Sequence, residues 1–265
     1  MRHHLDNRAL ASAWTEQPSN GETARPLAIK LVSELRRRKA LPGLHHQLKR
    51  YAFEIRPFCR CSQSRKQPCS LKALTRLHIS ASFELRDGEC IALQGPSGVG
   101  KSLLLRAIAD LDPNEGTLEL DGMLREAVPA PLWRKQVTYV ATEPGWWADT
   151  VQEHFAAWDQ AIPLVERLGL PPSCGSWNIH RLSTGEKQRL GLVRALMLRS
   201  RVLLLDEPTS ALDMTSTAAV ESIVAERVSI GTGVIWSTHD RTQAHRVGSR
   251  LFIMAGGGHI EEHPL

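Results

Sequence analysis

The glycine-rich segment Gly95-Pro-Ser-Gly-Val-Gly-Lys-Ser102 is the feature that most constrains the fold of this chain. It matches the pattern G-x4-G-K-[ST], in which successive backbone N–H groups converge on a phosphate group. An apolar stretch typical of a buried strand, residues 90–94, leads into it, and a helical stretch, residues 102–109, follows. The N-terminus of that helix would turn its positive end toward the same phosphate. The segment therefore predicts an α/β protein that binds phosphate groups.

Side chains of this loop have separate predicted roles. We expect the Lys101 ammonium to bridge the β- and γ-phosphates of a nucleotide and the Ser102 hydroxyl to be a ligand of Mg²⁺. The glycines let the backbone approach the phosphates closely. The predicted nucleotide-binding residues are Gly95, Pro96, Ser97, Gly98, Val99, Gly100, Lys101, Ser102 and Leu103.

An acidic pair follows the apolar run 202–205. Asp206 and Glu207 would stand at the carboxyl end of a buried strand, which is where open α/β sheets bind ligands. We expect Asp206 to hold Mg²⁺, directly or through water, and Glu207 to polarise the attacking water. A strand that merely ends in two solvated acids is the alternative, and the phosphate loop upstream disfavours it.

Short apolar runs alternate with helical stretches along the rest of the chain. Such alternation indicates an α/β fold with a central, mostly parallel sheet. Because the sequence contains no internal repeat, it predicts one nucleotide-binding unit. The predicted strands are residues 51–60, 77–85, 116–120, 137–140, 202–205 and 233–236 and a final hairpin of 251–254 and 259–260, and the predicted helices lie around 151–158, 183–199 and 214–229.

The segment Leu182-Ser-Thr-Gly-Glu186 precedes a basic, helical run. Here the sequence resembles the ATP-binding-cassette (ABC) family, whose signature reads Leu-Ser-Gly-Gly-Gln. The resemblance implies that the signature residues bind the γ-phosphate held by a second subunit. Ser183 with Glu186 three residues later is also the pattern of a capping box, and both properties can hold at once. The implied signature residues are Ser183, Thr184, Gly185 and Glu186.

Two further segments are similar to the same family. Ser210-Ala-Leu-Asp213 resembles the loop that communicates across a cassette dimer, with Asp213 as its dimer-loop residue. His239 resembles the switch histidine, which would hydrogen-bond the γ-phosphate and hold the water near Glu207. The resemblance covers about residues 70–265. It implies a P-loop NTPase cassette with a mostly parallel core sheet, an antiparallel β-edge and a small helical subdomain near residues 143–182.

The function that the resemblance implies is that of an ATP-hydrolysing subunit of an ABC transporter. Its cofactors would be ATP and Mg²⁺, and its partners a separate membrane permease and a second cassette, in a homodimer. It would lie at the cytoplasmic face of the inner membrane, held there by the permease, and no nucleic acid is expected. Two alternatives stay open: a non-transport ABC ATPase that acts on nucleic acid or ribosomes, and a regulatory cassette that only binds ATP.

The sequence departs from the family pattern at Thr142, which stands where a glutamine usually touches Mg²⁺ and the attacking water. Thr142 is therefore a candidate metal ligand, with Glu143 beside it. The usual adenine-stacking aromatic residue is also displaced, and Tyr51 and Phe58 are the candidates. Trp146 and Trp147 follow in the segment that, in the family, receives a helix of the membrane subunit. We expect one of them to pack on the helical subdomain and the other to anchor the permease.

Charge divides the chain in two. Residues 1–76 hold 16 Lys/Arg and 5 Asp/Glu, whereas the rest holds 17 and 23. We expect residues 1–50 to be a basic, poorly ordered extension, with one amphipathic helix over 26–38, and residues 51–265 to form the ATPase domain. The extension could also contact anionic lipid or nucleic acid.

Apolar runs are far shorter than the roughly 20 residues needed to span a bilayer, so we expect no membrane crossing, and no signal peptide is apparent. The five cysteines, an odd number, disfavour a disulfide framework and fit a reducing compartment. Three of them, Cys59, Cys61 and Cys69, cluster loosely and are either ordinary thiols, the favoured interpretation, or part of a metal site.

Overall fold

The computed structural model describes residues 29–32, 71–73, 79–114, 116–256 and 258–265, and for 29–32, 71–73 and 80 it describes the backbone alone. The strands are β1 (Ile29–Val32), β2 (Leu71–Ala73), β3 (Ile79–Ala81), β4 (Cys90–Gln94), β5 (Thr117–Leu120), β6 (Met123–Leu124), β7 (Val137–Val140), β8 (Val202–Asp206), β9 (Gly233–Thr238), β10 (Arg250–Met254) and β11 (Ile260–His263). The α-helices are α1 (Lys101–Ile108), α2 (Ala130–Gln136), α3 (Trp158–Arg167), α4 (Thr184–Leu196), α5 (Met214–Ser229) and α6 (Arg241–Val247).

A six-stranded sheet in the order β11-β10-β4-β9-β8-β7 forms the centre of this fold. The five strands from β10 to β7 run parallel, and β11 pairs antiparallel with β10. The predicted α/β fold with a mostly parallel core sheet is therefore confirmed, as is the final hairpin. Because the five strands are parallel, the loops at their carboxyl ends meet at one edge of the sheet.

Strand β8 shows why the core strands read as continuous apolar runs. All five of its residues are buried. Val202 and Leu204 face a cluster that includes Leu104 and Leu105 of α1. Leu203 and Leu205 face a second cluster, which contains residues of α4 and α5. Both faces of the strand are thus covered by helices, as in other parallel sheets.

Two smaller antiparallel sheets lie outside the core sheet, with strand orders β1-β5-β6 and β2-β3. They are the antiparallel β-edge that the sequence predicts. In β1, residues Ile29–Val32 pair with Thr117–Leu120. The helix expected over residues 26–38 is therefore wrong at those four residues, because pairing with the free edge of β5 outweighs the amphipathic helical pattern.

Residues 143–182 carry short helices, as expected for the subdomain, but the helix predicted over 151–158 is wrong. A 3₁₀ turn occupies Gln152–His154, residue 155 is extended, and α3 begins only at Trp158. The physical reason is the His154 ring, whose nitrogens bind backbone groups of residues 147, 148 and 150 and so hold the chain to the preceding loop. No helix in the described part of the chain is long and apolar enough to cross a membrane.

Candidate functional site

The chemistry-bearing residues of the sequence lie on four neighbouring strand ends. The glycine-rich loop follows β4, His239 follows β9, and Glu207 follows β8; Thr142 lies two residues after the end of β7. Since these strands are adjacent in the order β4-β9-β8-β7, the sheet brings all four segments to one edge. The motifs that are scattered over about 150 residues of sequence therefore form one site.

Lys101 is the first residue of α1, and only 5% of it is exposed. Its Nζ donates hydrogen bonds to the carbonyl oxygens of Gly95 at 2.8 Å and Pro96 at 3.2 Å. Gly100, directly before the helix, has a φ of +112°, which only glycine adopts without strain. These contacts fold the loop back over the lysine, and the neighbouring Ser102 is exposed at the helix N-terminus.

Asp206 ends β8 and is 3% exposed. Its carboxylate accepts a hydrogen bond from the Tyr139 hydroxyl and another from Ser237 Oγ, each at 2.8 Å. Burial and the nearby Asp206 charge raise the pKa of Tyr139, so its hydroxyl stays a donor. The two donors fix the Asp206 carboxylate at the edge of the sheet while each oxygen keeps a free lone pair.

The Glu207 carboxylate lies between two basic side chains. Its Oε1 is 3.6 Å from Lys101 Nζ, and its Oε2 is 3.5 Å from Nδ1 of His239, a side chain that is 64% exposed. Its backbone has a φ of +46°, which is unfavourable for a residue other than glycine. Its amide N–H is held by the carbonyl oxygen and the hydroxyl of Ser237, at 3.2 and 3.0 Å.

Thr142 contacts the acidic motif through its own hydroxyl. Thr142 Oγ1 donates to the Asp206 carbonyl oxygen at 2.9 Å, so its proton is engaged with backbone. Its oxygen keeps lone pairs, but the shorter side chain is held against the backbone of β8. Glu143, the neighbouring acid, is exposed.

Helix α4 begins with the predicted capping box. Ser183 Oγ accepts the Glu186 N–H at 3.3 Å, and the Glu186 carboxylate accepts the Ser183 N–H at 2.8 Å. Ser183 and Thr184 are exposed, so the start of the helix is open to a ligand. Asp213 caps α5 by accepting the Ser216 N–H at 2.7 Å, a hydrogen bond that lowers the pKa of its carboxyl group.

Residues 79–210 match the family model described as ABC transporter. The chain is 37% identical over 193 residues to the probable iron export ATP-binding protein FetA of Escherichia coli (strain K12), an alignment that covers 68% of this chain and 86% of that protein. The chain belongs to the ABC transporter family of ATP-binding subunits. Another relative is the arginine transport ATP-binding protein ArtP of the same organism, 35% identical over 68% of this chain and 83% of that protein.

Solved structures agree with this assignment at the level of the fold. An ATP-binding subunit of an ABC transporter superposes with a TM-score of 0.66 at 24% identity, over 74% of this chain and 87% of that one. A dimeric ATP-binding cassette in a post-hydrolysis state with ADP and phosphate gives a TM-score of 0.62 at 21% identity, over 75% and 97%. The ABC cassette fold predicted from the sequence is therefore confirmed, and with the family assignment the chain is an ATP-binding ATPase subunit.

Trp146 and Trp147 lie in different environments. Trp146 is partly buried against the cluster that contains the helical subdomain, whereas Trp147 is 71% exposed. The guanidinium of Arg194, on α4, lies 4.8 Å from each ring centroid and donates to the Gly145 carbonyl oxygen. His154 accepts the N–H groups of residues 147 and 148 through Nε2, so its proton is on Nδ1.

Several expectations fall on residues outside those that the structure describes. They are the strand predicted over residues 51–60, the adenine-stacking candidates Tyr51 and Phe58, the cysteines Cys59, Cys61 and Cys69, and the basic extension apart from β1. The two described cysteines, Cys90 and Cys174, are buried free thiols, and burial raises their pKa to about 12 and about 11.

Three site residues could not be read from motifs: Tyr139, Ser237 and Gln188. Tyr139 lies on β7 inside the predicted strand 137–140, and Ser237 lies on β9 directly after the predicted run 233–236. Gln188 is 2% exposed and lies on α4 four residues before the buried Leu192. A polar residue on the buried stripe of a predicted amphipathic helix was the available signal.

Proposed function

We propose that this cassette hydrolyses Mg-ATP with Glu207 as the base that orients the attacking water, and that the reaction drives a separate membrane permease. The observation that carries the proposal is the Glu207 carboxylate, held within 3.6 Å of Lys101 and 3.5 Å of His239 at the end of β8. The base that orients the attacking water must lie beside the γ-phosphate. Lys101 is the residue whose ammonium would reach that phosphate, so a carboxylate next to Lys101 is in the right place. His239 would hydrogen-bond the same phosphate and keep Glu207 in place.

The residues present fit a Mg²⁺ ion. The metal prefers oxygen ligands and is commonly bound through one carboxylate, substrate phosphates and water. Asp206 supplies a carboxylate with free lone pairs, and Ser102 supplies an exposed hydroxyl at the start of α1. Thr142 offers a third oxygen, held beside Asp206. Bound there with ATP, the ion would neutralise charge on the β- and γ-phosphates.

A second copy of the chain would complete the site. Support for a homodimer comes from the start of α4, where Ser183 and Thr184 are exposed and Gly185 is partly exposed. The phosphate loop of the same chain precedes α1 and not this helix. Helix N-termini bind anions, and the γ-phosphate of ATP on another copy fits that property. Asp213 would then lie in the segment between the two ATP molecules.

The permease would bind near the two tryptophans. Trp147 is exposed beside a groove of about 280 Å³ whose lining includes Pro144, Arg194 and Leu198. Tryptophan and arginine are enriched among the residues that carry protein–protein binding energy. Bound in this way, the cassette would lie at the cytoplasmic face of the membrane. The names of two relatives include different cargoes, iron export and arginine transport. Since similar cassettes go with different cargoes, we expect the membrane subunit to determine the cargo.

The test is Glu207→Gln, which keeps the shape of the side chain and removes its basicity. We expect ATP turnover to fall by about 10²–10⁴-fold, ATP binding to persist, and an ATP-bound dimer to accumulate in gel filtration. Glu166→Gln, on the exposed face of α3, removes a carboxylate away from the site and should leave turnover unchanged. Normal turnover of Glu207→Gln would refute the assignment of the base.

A further inference from the structure

A buried glutamine joins the segments that surround Glu207. Gln188 lies in the second turn of α4 and is 2% exposed. Its Nε2 donates to the carbonyl oxygens of Thr142 at 3.2 Å and Glu207 at 3.1 Å and to Ser210 Oγ at 2.9 Å. Its Oε1 accepts the N–H of Ala211 at 3.2 Å. One side chain thus contacts the segment after β7, the end of β8 and the segment before α5.

The chemistry of this contact requires a carboxamide. Three of the four neighbouring atoms are oxygens, which share the two N–H groups of the amide, and the fourth is a backbone N–H that donates to its carbonyl oxygen. An amide group offers two N–H donors and a carbonyl oxygen at the same end of a side chain, whereas a carboxylate offers acceptors only. Because the group is buried, each unmet hydrogen bond would carry its desolvation cost. Gln188 is therefore matched to its surroundings as a connecting group.

The most consequential contact is the one to Glu207. The left-handed backbone of Glu207, with a φ of +46°, persists only if the surroundings hold it on both sides. On the N–H side, Ser237 accepts through its carbonyl and hydroxyl oxygens. On the carbonyl side, the donors are Gln188 Nε2 and the Ser210 N–H. The direction of the Glu207 side chain follows from this backbone conformation, so Gln188 helps to set where the carboxylate lies.

The same helix connects this contact to the exposed signature residues. Gly185, one turn before Gln188, lies so close to the following segment that a Cβ on it would come within 2.8 Å of the Ala211 carbonyl oxygen. Ala211 is also the residue whose N–H binds Gln188. The start of α4 and residues 210–211 are therefore in contact at two points. A shift of the helix start would be transmitted to the Glu207 carbonyl through a single side chain.

We propose that Gln188 is a positioning residue, which fixes the Glu207 backbone and links it to the start of α4, so that a nucleotide bound there by a second copy aligns the base for hydrolysis. The proposal rests on the proposed role of Glu207. Gln188 is 2% exposed, so the proposal gives it no direct contact with nucleotide. It acts on the rate through Glu207 and leaves ATP binding by the phosphate loop to Lys101 and its neighbours.

The first experiment replaces the amide by an apolar group of similar size. We expect Gln188→Leu to lower kcat by roughly 10- to 100-fold, the size of effect that about 1 Å of misplacement produces, with KM for ATP and ATP-dependent thermal stabilisation near the wild-type values. Val193→Ala removes buried apolar contacts from the same helix without touching the hydrogen bonds. It should lower Tm and leave kcat unchanged. Equal loss of Tm with an unchanged kcat in Gln188→Leu would overturn the proposal.

A second variant tests the hydrogen bonds themselves and does not depend on the first one folding well. In Gln188→Glu, the new carboxyl group faces three acceptor oxygens, so only its protonated form can donate. We expect kcat of Gln188→Glu at neutral pH to fall by at least as much as that of Gln188→Leu, with KM for ATP near the wild-type value, because a carboxylate cannot donate to these oxygens. Gln160→Glu, on the exposed part of α3, introduces the same charge away from this contact and should leave kcat unchanged. A wild-type kcat in Gln188→Glu contradicts the proposal.

A double-mutant comparison separates failure of this inference from failure of the proposed function. If Gln188 acts through Glu207, adding Gln188→Leu to Glu207→Gln should cause no further loss of the residual turnover. A full additional loss in the double variant would show that Gln188 acts elsewhere. Normal turnover of Glu207→Gln alone would remove the base assignment, whereas an inactive Glu207→Gln with a fully active Gln188→Leu would remove only the positioning role.

Discussion

Tyr139→Phe is the substitution whose effect can be worked most directly from the structure. It deletes one hydroxyl and keeps the ring, so it removes the 2.8 Å hydrogen bond to Asp206 and leaves that carboxylate, 3% exposed, with Ser237 as its side-chain donor. A hydrogen bond to a charged group contributes about 1.5–3 kcal/mol. For a domain of this size each kcal/mol corresponds to roughly 2–4 °C in Tm. We therefore expect the nucleotide-free protein to lose about 3–12 °C.

Thermal unfolding measures the loss in Tm, and urea denaturation followed by tryptophan fluorescence measures the loss in free energy of unfolding, since the chain has seven tryptophans. The expected signature is a lower midpoint with an unchanged slope. Ser229→Ala removes an exposed hydroxyl, which donates to the Glu226 carbonyl oxygen, and should stay within about 0.5 kcal/mol of the wild type. If Tyr139→Phe also stays within that margin, the hydroxyl does not stabilise the Asp206 charge.

Ser237→Ala distinguishes an effect on Asp206 from an effect on Glu207. It removes the second donor to Asp206, as Tyr139→Phe removes the first, but it also takes one acceptor from the Glu207 N–H. We expect the two variants to lose similar stability and Ser237→Ala to lose more turnover at saturating Mg-ATP. Equal turnover in the two variants would mean that the Ser237 hydroxyl has no influence on Glu207.

The remaining predictions concern the surface and the ends of the fold. Trp146→Ala should destabilise the isolated cassette, whereas Trp147→Ala should keep its stability and basal turnover but lose stimulation by the permease; normal stimulation of Trp147→Ala would exclude the anchor. A chain that begins at residue 51 should fold and hydrolyse ATP but unfold at a lower temperature than one that begins at residue 29, because it lacks β1; complete loss of folding would make the extension part of the domain. Cys174 should resist alkylation at pH 8 until the protein unfolds, since burial raises its pKa to about 11. Peptide mass mapping identifies the labelled sites, and labelling of Cys174 in the folded protein would contradict this prediction.

The parts of the fold that the sequence predicts well are those in which one local pattern decides the structure. Strand β7 matches the predicted residues 137–140, and β8 extends the predicted run 202–205 by one residue. Strand β8 is covered on both faces, and its sequence is accordingly apolar up to Asp206. The gathering of Lys101, Glu207 and His239 then follows, since parallel strands deliver their carboxyl-terminal loops to one edge. The site could be assembled from motif order and strand direction without any knowledge of contacts.

Long-range hydrogen bonds decide the parts that could not be predicted. The contact of Tyr139 with Asp206 spans 67 residues of sequence, that of Ser237 with Asp206 spans 31, and that of Gln188 with Thr142 spans 46. Hydrophobic periodicity indicates which face of an element is buried, but it does not identify the polar group that the buried face contacts. The wrong helix over 151–158 has the same origin, because the His154 ring binds backbone groups in the preceding loop.

Thr142 departs from the family pattern, and hydrogen bonds to neighbouring segments hold it in place. A glutamine at this position would carry an amide on a long side chain toward the metal and the water. Here the Thr142 hydroxyl is bound to the Asp206 carbonyl oxygen, and the Thr142 carbonyl oxygen accepts from Gln188. The segment after β7 is therefore tied by both its side chain and its backbone to the strand that carries the acidic pair. Because Gln188 binds Thr142 and Glu207 together, a displacement of this segment would reach Glu207 through the buried amide, even without a long side chain at position 142.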